Sequence, residues 1–98
     1  MAEYRLTPRA EKDLRSIWAT IATDSERHAD RLLTRLLDKF ELASDQPRMG
    51  VSRPMIAPEV RLLFEDNYIA LYKPSDYGIE VIAIVHGMRE PGRWLSEE

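Results

Sequence analysis

The sequence predicts an α+β domain of order β-α-α-β-β-β, with a helical hairpin packed on a small, mainly antiparallel sheet. Three observations predict it. Apolar residues recur at helical spacing from Leu14 to Ile21 and again from Ala29 to Ala43. Three apolar, β-branched or aromatic runs follow, Val60–Phe64, Tyr68–Tyr72 and Ile79–Val85, separated by tight polar turns. The 98 residues allow one domain, here residues 1–98.

Glu3 to Leu6 reads as a short extended segment with Tyr4 and Leu6 on one face. Thr7-Pro8 is a helix start. Thr7 can cap, and Pro8 suits the first helical position because its missing N–H would be unpaired there. Leu14, Ile17, Trp18 and Ile21 then share one helix face, which makes Trp18 a core or hairpin-packing residue, while Asp13, Arg15 and Thr20 point elsewhere. Asp24-Ser25-Glu26 breaks the helix and caps a second one, its carboxylates being favoured near the positive end of the dipole. Ala29, Leu32, Leu33, Leu36, Leu37, Phe40 and Ala43 carry the period onward, opposite a wet face of Asp30, Arg31, Thr34, Arg35, Asp38 and Lys39. Two such helices joined by a few residues form an antiparallel hairpin.

Gln46 to Glu59 is expected to lack regular structure, because Pro47, Gly50, Pro54 and Pro58 interrupt it. It carries Arg48 and Arg53, while Met49, Met55 and Ile56 could pin it to the core. Glu65-Asp66-Asn67 turns the first run of the sheet into the second, and Pro74-Ser75-Asp76-Tyr77-Gly78 turns the second into the third. Ile79 to Val85 is apolar except for Glu80, the pattern of a central strand. Glu90-Pro91-Gly92 stops it, and a tail with Arg93 and Trp94 follows.

Composition bounds the chemistry. There is no cysteine, hence no disulfide, thiolate metal site or cysteine nucleophile. No cofactor or metal is implied. A small domain without cysteine and without a membrane span or signal pattern is expected in the cytoplasm. Seventeen acidic residues stand against 14 basic ones, a net charge of −3, so no direct binding of nucleic acid is expected. Eleven of the 14 cations are Arg, which suits protein interfaces through bidentate pairing and stacking on aromatic rings. The helices carry more large apolar residues than a two-layer domain hides, and Ile21, Leu37 and Leu42 fall at the margins of the stripes.

Taken in order, these pieces resemble ParE-type toxins of toxin–antitoxin pairs, within the RelE/ParE superfamily. The residues that carry the resemblance are Tyr4-Arg5-Leu6-Thr7, Ala10, Asp13-Leu14, Ile17-Trp18 and Ile21-Ala22. Further on are Pro47-Arg48-Met49-Gly50, Arg61, the pair Tyr68 and Tyr72, and Ile79-Glu80-Val81-Ile82 running into Val85-His86-Gly87-Met88-Arg89-Glu90. The resemblance implies the RelE/ParE fold and a toxin held inactive by a ParD-like antitoxin in a hetero-oligomer. It implies DNA gyrase as the target, bound and inhibited rather than chemically altered. The target surface would include Arg61, His86, Met88, Arg89, Arg93 and Trp94. The antitoxin would lie on the hairpin and sheet, against Leu14, Ile17, Trp18, Ile21, Leu33 and Leu37, with its acids meeting Arg61 and Arg89.

Two other readings are weighed. One branch of the superfamily cuts messenger RNA on the ribosome, and here Glu59, His86, Arg61, Lys73 and Arg89 are the residues that could serve. That branch is strongly basic; this chain has no lysine after Lys73 and no tyrosine after Tyr77. No catalytic residue is therefore assigned. The other reading is a non-toxic interaction module of the same fold. His86 can be a hydrogen-bonded structural residue as well as a titrating one. Tyr68 and Tyr72 can pack across strands, Arg61 can pair with Glu59 or Glu80, and Trp94 can either pack back on the sheet or dock a partner.

Overall fold

A computed structural model of the chain describes residues 2–87. Its elements are β1 (Glu3–Leu6), α1 (Pro8–Ala22), α2 (Glu26–Asp45), β2 (Val51–Ser52), β3 (Arg61–Glu65), β4 (Tyr68–Ser75) and β5 (Gly78–His86). The five strands form one sheet in the order β1-β5-β4-β3-β2, with β1 parallel to β5 and every other pair antiparallel.

Both helix starts follow from capping chemistry. The Thr7 hydroxyl accepts from the N–H of Ala10 and the Ser25 hydroxyl from that of His28, each at 3.1 Å, which satisfies donors that have no partner inside the helix. The helices then bury their stripes on one face of the sheet. Leu14, Leu32, Leu36, Phe40 and Ala43 meet Leu63, Ala70, Tyr72, Ile79, Val81 and Ile84 there, and Tyr4 sets its ring edge-on to Phe40 with centroids 5.6 Å apart. The opposite face buries Val60, Leu62, Ile69, Leu71 and Val85 under Ile56 and Ala57 of the connector.

A bulge adjusts which side chains reach which face. Tyr72 pairs with Val81 but Leu71 pairs with Ala83, so Ile82 is an extra residue in β5. Before it the odd-numbered Ile79 and Val81 face the helices; after it the even-numbered Ile84 does. The Thr7 hydroxyl donates to the carbonyl of Ile82 at 2.7 Å.

Glycine is required at the start of β5. Gly78 has φ +143°, and a Cβ there would stand 2.1 Å from the carbonyl oxygen of Glu3, so only glycine lets β1 draw alongside.

Two sequence expectations are corrected. The connector is not wholly irregular: Val51–Ser52 pairs with Arg61 and Leu62 and adds a fifth strand. Two residues of β-branched and small type suffice where a partner strand supplies the register. The turn after β4 is also shorter than expected, because Pro74 and Ser75 remain in the strand opposite Ile79 and Gly78. β3 reaches only to the register of Tyr72, so beyond it β4 has a free edge where a proline's missing N–H breaks no ladder bond.

Candidate functional site

Among the described residues, Leu14, Ile17, Trp18, Leu33, Arg61 and His86 of the expected site residues divide among three surface clefts around the sheet. The most apolar lies on the helix side at the β1 edge. Leu6, Leu14, Trp18 and Leu33 line it, with Glu11 and Arg15 at its rim, and it encloses about 590 Å³. Leu14 is buried, while Leu6, Trp18 and Leu33 are half-buried and offer apolar surface to the groove. Trp18 is held in place across the hairpin, its indole N–H donating to the Asp30 carboxylate at 2.7 Å. Asp30 thus braces the hairpin rather than simply wetting its outer face. Of the residues expected to meet an antitoxin, Leu14, Trp18 and Leu33 converge here. Ile21 and Leu37 pack partly buried against the core. Leu42 is 48% exposed on α2, as its marginal position suggested.

Ile17 belongs to a second cleft of about 350 Å³, between α1 and the end of β5, lined also by Arg9, Asp13, Ser16, Thr20, Tyr68 and His86. β1 covers β5 only as far as Val81. Beyond that point the backbone N–H of Ile84 donates to the Asp13 carboxylate at 2.9 Å, and Arg9 lies 3.3 Å from the same oxygen. A helix carboxylate therefore terminates the strand edge, with a cation to balance it. Sequence reasoning placed Asp13 away from the core. The available signal was an acid next to Leu14 and four residues before Ile17, on the inner flank of the stripe. His86 stands opposite Tyr68, the rings meeting edge-on with centroids 5.3 Å apart. That contact is the packing expected of cross-strand neighbours.

The third cleft, about 430 Å³, opens at the far end of the sheet between the connector and β4, lined by Arg48, Ser52, Glu59, Arg61, Pro74, Ser75 and Asp76. Arg61 does not pair with Glu59 or Glu80. Its Nη1 donates to the carbonyl oxygens of Arg48 at 2.8 Å and Gly50 at 2.7 Å. Tyr72 completes the clamp from inside. Its hydroxyl donates to the Pro47 carbonyl at 2.7 Å and accepts from the Gly50 N–H at 2.9 Å. The connector must come this close, since a Cβ on Gly50 would lie 2.6 Å from that hydroxyl and 2.8 Å from the Leu62 carbonyl. Burial pushes the Tyr72 phenol above its ordinary value of 10.0, against the opposing pull of the Gly50 N–H and Arg61. Tyr72 is thus a neutral clamp rather than a ring for stacking bases. Nothing in its sequence position distinguishes it from Tyr68.

Among the described residues, those that a ribonuclease would need are dispersed. Arg61 pairs across the ladder with Tyr72, and His86 with Tyr68, on strands separated by β4. Four residues of strand put them about 13 Å apart along its axis alone. Glu59 lies with Arg61 in the third cleft and His86 in the second. Among the described residues no group of three His, Cys, Asp or Glu could hold a metal ion. No described helix is long and apolar enough to cross a membrane. Met88, Arg89, Arg93 and Trp94 lie outside the described residues.

The fold is similar to that of a solved chain titled "Chromosomal ParDE TA system from P. aeruginosa", with a TM-score of 0.71 over 88% of this chain and 96% of that one, at 19% sequence identity. No curated protein matches significantly. The family model described as the ParE toxin of the type II toxin–antitoxin system parDE matches residues 4–91. That match spans both helices, the connector and all five strands, and the chain accordingly belongs to the ParE toxin family.

Proposed function

We propose that this chain poisons its cell by gripping DNA gyrase, and that a ParD-like antitoxin neutralises it by docking on the helical hairpin. The observation that carries the antitoxin half is the groove of Leu6, Leu14, Trp18 and Leu33. It is apolar at its floor, charged at its rim, and bounded by two regular helices. An amphipathic segment with apolar anchors at helical spacing fits such a groove, and Glu11 and Arg15 are placed to select its flanking charges. Trp18, fixed by Asp30, is the anchor on this side.

Inhibition by occupancy, rather than by cutting, is supported by the separation of His86 from Arg61 and by the use of the Arg61 guanidinium on backbone carbonyls. The gyrase assignment rests on membership of the ParE family and the resemblance that implies this target.

The test has two parts. Purified chain should reduce gyrase supercoiling, and the product of the neighbouring antitoxin gene should reverse that effect. Trp18→Ala should weaken antitoxin binding by about tenfold or more, the loss expected of a buried aromatic anchor. Unimpaired gyrase, together with transcripts cut on translating ribosomes and rescued by removing His86, would replace this reading with the ribonuclease one. An absence of any growth effect would leave the non-toxic module.

A further inference from the structure

Among the described residues, the large exposed apolar side chains are Leu42, Met49, Val51, Met55 and Phe64, and four of the five fall between positions 49 and 64. Their arrangement follows from the ladder. Val51 pairs with Leu62, and Phe64 is two residues further along β3, so all three project from the same face of the sheet. Leu62 is buried there, but Val51 is 40% and Phe64 46% exposed. Met55, 97% exposed, stands on the connector that crosses this face. The patch therefore sits at the β2 edge, on the side away from the helices. The groove of Leu6 and Trp18 is at the β1 edge on the helix side.

The charge around the patch differs from that of the chain as a whole. Residues 46–58 contain Arg48 and Arg53 and no acid, with Asp45 and Glu59 at the two ends of the stretch and Glu65, next to Phe64, paired with Lys39. Both arginines are exposed, and neither makes an ion pair among the described residues. Methionine, phenylalanine and arginine are residue types enriched at protein interfaces. The clamp of Tyr72 and Arg61 on the 47–50 backbone holds this edge in one conformation before any partner arrives, which lowers the ordering cost of binding.

We infer that Met49, Val51, Met55 and Phe64, flanked by Arg48 and Arg53, form the surface by which the toxin grips its target, a protein face with an apolar centre and a carboxylate rim. The inference rests on the reading of the chain as a toxin that acts by occupancy, and it moves the principal target contacts from the end of β5 to the opposite edge of the sheet.

The experiment uses the full chain under inducible control, with two variants. One joins Val51→Asp to Phe64→Asp, and the other joins Arg48→Glu to Arg53→Glu. Growth arrest and the affinity for the complete antitoxin are measured for each. Both variants should lose arrest by about tenfold or more in surviving cells while antitoxin affinity stays within about twofold. Met55→Glu, on a side chain almost wholly in solvent, should weaken arrest without any change in thermal stability. Arrest at the wild-type level in all three overturns the inference. So does a parallel tenfold loss of antitoxin affinity, which would make the patch part of the antitoxin site. Binding of RNA or duplex DNA at physiological salt that vanishes in the arginine variant overturns it too. If the wild-type chain arrests growth yet leaves gyrase untouched, the gyrase reading fails while the patch is still judged by the variants. If the wild-type chain arrests nothing, the toxin reading fails and the patch falls with it.

Discussion

The two faces of the sheet are covered by different means. On one side, α1 and α2 lay regular stripes of leucine, isoleucine and phenylalanine over it. On the other, an irregular connector lays Ile56 and Ala57 over Val60, Leu62, Ile69, Leu71 and Val85, and its start at residues 47–50 is held by hydrogen bonds to Tyr72 and Arg61, ladder partners that stand on the helix side of the sheet. The helix face is stabilised mainly by area removed from water, a term insensitive to the detail of any one contact. The anchor of the connector depends instead on a few directional bonds between groups that have no other partner once buried. Loss should therefore be large and diffuse in the helix-covered core, and smaller but local where single hydrogen bonds anchor the backbone.

The strongest test of that contrast is Phe40→Ala. Phe40 is fully buried beneath Tyr4, and the cavity should cost about 3–5 kcal/mol, enough to leave a domain of this size barely folded in a denaturant melt. Tyr72→Phe keeps the ring and removes only the hydroxyl. It should cost about 1–3 kcal/mol, because the Gly50 N–H and Pro47 carbonyl lose their partner. Hydrogen exchange at Gly50 should accelerate while exchange in α2 is unchanged; uniform acceleration would contradict a local clamp. Asp13→Ala should cost about 1–2 kcal/mol by freeing the Ile84 N–H, with exchange rising at that amide first.

Titration gives a fourth test. The Tyr72 value is raised on folding, so its contribution is complete below pH 10.0 and is lost as pH climbs through the elevated folded value. The stability gap between wild type and Tyr72→Phe should thus narrow in alkali. Tyr4, raised by burial and by Glu41 and Asp38, remains in both proteins and cancels from the comparison. The smallest effect belongs to Arg35→Ala. Its pair with Glu65 spans 3.8 Å with the arginine side chain 54% exposed, and the change should be about 0.5 kcal/mol or less.

The same contrast explains what could be read from the sequence. The hairpin was legible because a 3.6-residue period repeats through α1 and α2, and because Thr7 and Ser25 stand where caps belong. The β3, β4 and β5 cores were legible as apolar runs. The β2 strand was not, since two residues carry no period and their pairing depends on β3. The roles of Tyr72 and Arg61 were hidden because each acts on backbone that is distant in sequence, 25 residues away for the Tyr72 bond to Pro47. Asp13 was hidden for the same reason, its partner Ile84 lying 71 residues on. The groove was half legible: Leu14, Trp18 and Leu33 share stripes, but only the parallel pairing of β1 with β5 brings Leu6 beside them.

That pairing also bears on how the protein is made. Thr7 meets Ile82 across 75 residues, so the opening strand has no ladder partner until nearly all of the described chain has been translated. A ribosome that stops early releases a bare helical hairpin, its oily stripe uncovered and its groove missing a wall. Such a fragment should be fodder for proteases rather than a folded domain.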